Sequence, residues 1–191
     1  MTTVHVISQV VTIVSALVAL GAAIAAFMGL NTWRRELKGR EEFQLARRVL
    51  LFSCKLREAF RQIRSAISLA DETKGKPQGM DDSVYVFASR FNSRNDLWSE
   101  LEAVQLEVEV LFGKEAAAKL QPLREHVSEY WSTLMTASNA TSGGRSLWDD
   151  EEVPYLKEAR EILIARKGDD FQAAVETGIA QLQDEMRKHL R

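Results

Sequence analysis

Polar and apolar positions change their rhythm twice along this chain. Residues 6–30 carry no charged side chain, and Val, Ile, Leu, Ala, Phe and Met fill most positions. A helix rises ~1.5 Å per residue, so the ~30 Å hydrocarbon layer of a bilayer takes roughly 20 such residues. The run is apolar on every face, and Thr12 and Ser15 can return their hydroxyls to the helix backbone. Residues 6–32 are therefore predicted to form a transmembrane anchor. Residues 1–5 are then a short extracytoplasmic tail, and 33–191 a cytoplasmic domain. A cleaved secretory signal is the rival reading, with Ala23-Ile24-Ala25 as a small-x-small site. It lacks the basic n-region, and the apolar run is too long for it.

Beyond residue 40 the pattern becomes amphipathic. Leu45, Val49, Phe52, Leu56, Ala59, Ile63, Ala66 and Ala70 alternate steps of four and three, flanked by Ala46, Phe60 and Ile67. That stripe predicts one helix continuing from the anchor to about residue 70, with Gly39 as the expected bend. Residues 71–83 hold two Gly, one Pro and alternating charge, a loop composition, with Asp82 or Ser83 as the cap of the next helix. That helix reaches about residue 112 and turns Phe87, Phe91, Leu97, Trp98, Leu101, Val104, Val108 and Leu111 inward. Its polar middle, 90–95, is expected to be irregular, and Gly113 ends it.

A third helix, about 114–137, buries Leu120, Leu123, Val127, Tyr130, Leu134 and Ala137, with Pro122 as a kink. Residues 139–154 form a second long connection, acidic over 149–152, in which Trp148 is expected to plug the core. Pro154 opens a short helix to about residue 167. Asp169 or Asp170 caps a final one lined by Phe171, Val175, Ile179, Leu182 and Met186. With no strand pattern and no internal repeat, the expected class is all-α: an N-terminal transmembrane helix followed by an antiparallel bundle of about four to five helices.

Charge sets the orientation. No Lys or Arg precedes the apolar run, whereas Trp33, Arg34, Arg35, Lys38 and Arg40 follow it at once. Basic residues stay on the cytoplasmic side and Trp favours the headgroup level, so these five are the predicted membrane-interface residues and the N-terminus lies outside. The net charge of −2 conceals an asymmetry: residues 34–67 hold ten Lys or Arg against four Glu, a local +6. Arg47, Arg48, Lys55, Arg57, Arg61 and Arg64 fall opposite the apolar stripe. They are predicted to form a solvated basic face, open to anionic lipid, to a protein partner or to the chain's own acidic half. Nucleic acid is not an expected partner, because no aromatic platform interleaves the charges and the chain is mildly acidic. Ser15, Ala19, Ala22, Ala23, Ala26 and Gly29 share a sector of the span, a candidate face for homo-oligomer formation.

Candidate chemistry is sparse. Cys54 is the single cysteine, which excludes an intrachain disulfide and suits a reducing cytoplasm. On a straight helix it stands ~35 Å beyond the apolar run, too far for lipidation. His126 with Glu129, and Glu185 with His189, have ligand-like spacing, but their order or step is wrong for the Glu-x-x-His of a di-iron bundle. No phosphate loop, Ser/His/Asp set or CxxC pair is present. No catalytic, metal or cofactor residue is assigned, and no enzyme activity is expected.

Residues 32–64, TWRRELKGREEFQLARRVLLFSCKLREAFRQIR, resemble the region after the anchor in uncharacterised bacterial single-span membrane proteins with a cytoplasmic helical domain. Trp33, Leu37, Gly39, Ala46 and Arg47 carry the resemblance, with weaker echoes at Leu111-Phe112-Gly113 and over 169–191. It implies a bacterial cytoplasmic (inner) membrane and no particular activity. The expected function is a membrane-anchored, non-enzymatic interaction module that holds an unknown protein partner or its own copies at the inner leaflet. The alternative is a signalling or defence component that transmits a conformational change between membrane and bundle.

Overall fold

The computed structural model describes residues 2–67, 70–149, 154–166 and 168–190, with the side chains of 2–19 and of Ala70 outside that set. The described residues are all-α, and among them there is no strand. The chain divides into two compact units, Met1–Gln44 and Leu45–Arg191.

Helix α1, Thr2–Ile63, belongs to both units. In the first, every described side chain from residue 20 to residue 41 is exposed, including Leu20, Ile24, Phe27, Met28 and Leu30. Among the described residues no helix is long and apolar enough to cross a membrane. Most of the apolar run expected to do so, residues 6–19, lies outside the described side chains, together with the 1–5 tail and with Ser15 and Ala19 of the small-residue sector. Gly39 does not interrupt α1, contrary to the expected bend, and nothing packs where its Cβ would stand.

In the second unit the amphipathic stripe sinks into the core. Leu45, Ala46, Val49, Phe52, Leu56, Ala59, Phe60 and Ile63 are all buried, each large side chain contributing up to ~1.5–3 kcal/mol of hydrophobic stabilisation. The helix stops at Ile63, short of the expected residue 70, and Ala66 and Ile67 are exposed. Helix α2, Asp82–Asn92, is capped by Asp81 rather than Asp82 or Ser83: its carboxylate accepts from the Val84 N–H at 3.0 Å. The other Asp81 oxygen accepts from Leu147 N–H at 3.2 Å, so one side chain pins two distant loops. The single helix expected from 83 to 112 is broken at 93–94, where α3, Asn95–Phe112, begins. Gly113, at φ +87°, ends α3 and opens the single turn α4, Lys114–Ala117. A 3₁₀ turn then leads into α5, Gln121–Ala140, with Pro122 in its first turn, where a missing N–H costs nothing. Helices α6, Tyr155–Leu163, and α7, Asp170–Arg187, complete the unit.

Pairs of contacts give the helix directions. Arg48 meets Glu107 and Lys55 meets Glu100, so α1 and α3 run antiparallel. Ser53 meets Gln183 and Arg57 meets Glu176, so α7 also opposes α1. Gly178 permits α7 to lie against α5: a Cβ there would stand 3.0 Å from the Leu123 side chain. The result is an antiparallel helical bundle, built from more and shorter pieces than the stripes alone implied.

Candidate functional site

The basic face of α1 divides three ways. Arg48 donates to Glu107 at 2.7 Å, Arg57 to Glu176 at 2.7 Å, and Lys55 lies 3.7 Å from Glu100. These three are thus engaged by the acidic helices α3 and α7, each exposed pair contributing up to ~1 kcal/mol. Arg47 and Arg61 are exposed and make no ion pair among the described residues. Arg64 corrects the sequence reading: it was expected on the solvated face and is fully buried, at 0% exposure.

The reason is the end of α1. Arg64 N–H still donates to Phe60 O at 3.2 Å, so its side chain falls one turn beyond buried Phe60, under the α6–α7 connection. Its Nε donates to Ile162 O at 2.7 Å, and its Nη2 to Glu161 O at 3.0 Å and Ile164 O at 3.3 Å. The last carbonyls of a helix have no partner within it, and here a guanidinium supplies one. The same guanidinium donates to Asp169 Oδ1 at 3.0 Å and Gln172 Oε1 at 3.2 Å, and lies 4.7 Å from the centroid of the Phe171 ring. Asp169 is also the N-cap of α7, accepting from the Gln172 N–H at 2.6 Å. One arginine therefore joins the C-terminus of α6 to the N-terminus of α7, while its own carbonyl accepts from the Ala165 N–H at 2.8 Å. Burial works to raise the Asp169 carboxyl. The N–H groups of Arg166 and Gln172 and the Arg64 guanidinium outweigh it and hold the carboxyl below its ordinary value. Burial likewise pushes the Tyr130 hydroxyl up, against the opposing pull of Arg64 and Arg90.

Sequence reasoning also missed Arg90. Its guanidinium grips Glu72 through Nε and Nη2, at 2.8 and 2.7 Å, and donates to Ser65 O and Ile67 O at 2.7 and 2.6 Å. Arg90 thereby holds the segment that follows α1. Neither arginine carries a local sequence signal, since each is fixed by carbonyls far along the chain.

Several concavities flank these elements. A groove of about 560 Å³ runs beside the α6–α7 turn, lined by His126, Glu129, Glu161, Arg166, Asp170 and Phe171. Within it His126 Nδ1 lies 3.3 Å from Glu129. A second cavity, about 380 Å³, opens between α2, α3 and α5 and is walled by Phe91, Trp98 and Trp131. The Phe91 ring stacks on Trp98 at 4.9 Å and on Trp131 at 5.2 Å, and Trp98 Nε1 donates to Phe91 O at 3.0 Å across the helix break.

The remaining sequence candidates do not converge. Trp33, Arg34, Arg35, Lys38 and Arg40 are exposed in the first unit, where Lys38 lies 3.6 Å from Glu42. Cys54 is exposed, with Gln183 Nε2 at 3.9 Å. Among the described residues no group of His, Cys, Asp and Glu is placed to hold a metal ion. His189 stacks on Phe112, centroids 3.9 Å apart. Trp148 does not plug the core: it is 55% exposed and covers Arg160, while its neighbour Leu147 is the buried residue. Compared with known proteins, the chain matches no family model, no curated protein and no solved structure.

Proposed function

We propose that this chain is a membrane-anchored, non-enzymatic helical interaction module of a bacterial cytoplasmic membrane. Its N-terminus lies outside, and its bundle holds a protein partner or a second copy at the inner leaflet. The reading rests on one observation, the change of character along α1. Its apolar side chains are exposed from Leu20 to Leu30, exposed Trp33 and four basic residues follow, and from Leu45 the same helix is built into a core. An uncharged apolar run that finds no protein cover suits lipid, and the basic residues behind it suit the cytoplasmic face. Residues 6–32 are the anchor in this reading.

A reporter active only in the cytoplasm tests it. Fused after Arg191 it is expected to work, and fused before Met1 to fail. The chain is also expected to stay with membranes through an alkaline wash. Release by the wash, or the opposite reporter pattern, rejects the anchor.

A second reading, a signalling or defence component, is favoured by the Arg64 junction. A change at the α6–α7 turn bears directly on Arg64, the residue that follows α1, through five hydrogen bonds. Altered α1 self-association upon substitution of Asp169 would favour it over a passive tether.

A further inference from the structure

We propose that the outward face of α1 and α3 in the second unit is an interface whose occupant is a second copy of this chain. The two helices are joined side by side by Arg48 with Glu107 and Lys55 with Glu100. Leu51 stands between the two α1 cations and Ala103 between the two α3 carboxylates, and both are exposed. From Ala103 the same face of α3 continues through Leu106 and Val110, at steps of three and four. Leu51 is 57% exposed, Leu106 65% and Val110 82%. Single exposed apolar side chains are ordinary, but a group of them on adjoining helices, rimmed by charge, marks a contact surface.

Charge names the occupant. Residues 45–63 of α1 carry five Lys or Arg and one Glu, whereas α3 carries five Asp or Glu and no basic residue. Side by side they make a surface that is basic along one helix and acidic along the other. A two-fold axis parallel to the helices lays α1 of one copy on α3 of the other, so cations meet carboxylates twice over. Laying α1 on α1 would oppose like charges. The axis also preserves height along the helices. Arg48 is level with Glu107, so Arg47 is level with residue 108, one step from Glu109. Arg47 and Glu109 are both exposed and make no ion pair among the described residues, so the dimer pairs charges that one copy leaves over. At ~1.5 Å per residue the 18 residues of α3 span ~27 Å, and two packed helices are ~20 Å wide. The face therefore offers roughly 500 Å² per copy, about 1,000 Å² in all, which reaches the lower bound of a specific interface. The axis keeps both copies of α1 parallel, as two anchors in one bilayer require; the choice of axis rests there on the membrane reading.

The test measures the molar mass of the full chain in mild detergent by light scattering, with the detergent subtracted, over a range of concentrations. A dimer is expected. Leu106→Lys with Val110→Lys should weaken it at least tenfold while the helical circular dichroism holds, because both sites are exposed in one copy. Arg47→Glu and Glu109→Arg should each weaken it several-fold and, combined in one chain, restore it. Ala22→Leu with Ala26→Leu, in the apolar run, should leave it unchanged. The same pattern in a chain that an alkaline wash releases from membranes would reject the anchor and keep the interface. A monomer at every concentration would give this face to lipid or to a different protein and overturn the proposal. So would a dimer that is lost only on the Ala22 and Ala26 changes, or a charge exchange that fails to restore association.

Discussion

The two halves of α1 are made of similar residues and live in opposite surroundings. From residue 20 to Phe43 its Leu, Ile and Phe side chains and its arginines are all exposed; after Gln44 the apolar stripe is buried, and Arg48, Lys55, Arg57 and Arg64 meet acidic partners. The difference lies in spacing. An all-round apolar run leaves no polar side to face water, whereas a four-three alternation buries one face and offers the other to Glu100, Glu107 and Glu176. Counting charge over 34–67 merges two populations: exposed cations near the expected membrane surface, and cations built into the bundle.

Substitutions sharpen this contrast, beginning at Arg64. In the full chain in mild detergent, Arg64→Ala is expected to destabilise the bundle by about 3–5 kcal/mol, because it leaves Asp169 and three carbonyls without their donor. Arg61→Ala, three residues earlier and exposed, is expected to change it by less than about 0.5 kcal/mol. Equal effects in chemical denaturation would dissolve the distinction between them.

Leu56→Ala and Leu37→Ala compare the same deletion in the two halves. The first empties a fully buried site and is expected to cost about 2–5 kcal/mol; the second, at an exposed position, under about 0.5 kcal/mol.

The charge of Asp169 sets a smaller, pH-dependent term. Its folded carboxyl is held below the ordinary value, so its contribution is fully present above the ordinary carboxylate range and is lost as pH falls through the lowered folded value. Asp169→Asn keeps an N-capping side chain but not the charge. Melting followed from neutral to acidic pH should show the variant less stable near neutrality and the two proteins converging in acid. A small effect is also expected at the surface pairs, where Glu107→Gln should cost at most ~1 kcal/mol and less in high salt.

The sequence made most of the core legible. Every stripe residue of α1 from Leu45 to Ile63 is buried, as are Phe171, Val175, Ile179, Leu182 and Met186, because helical periodicity is a local property. The polar stretch 90–95 did mark a break, and Gly113 did end α3. What stayed hidden depends on distant chain. Arg64 looked solvated because its acceptors sit about a hundred residues away, although its helical step, one turn beyond buried Phe60, already placed it on the flank of the stripe. The cap of α2 moved by one residue to Asp81 because only that carboxylate also reaches Leu147. Trp148 and Leu147 exchanged roles for a related reason: hydrophobic size favoured the tryptophan, but the indole found Arg160 to cover at the surface. The aromatic cavity had no sequence signature, since Phe91, Trp98 and Trp131 come from three helices.

The separation between Arg64 and its acceptors also has a meaning in time. At roughly 5–20 residues per second, residues 161–169 leave the ribosome on the order of 5–20 s after Arg64 does. Throughout that interval the C-terminal end of α1 has an arginine with none of its final acceptors and a hydrophobic stripe without α7. The turn that closes over this end of α1 is made about a hundred residues after it.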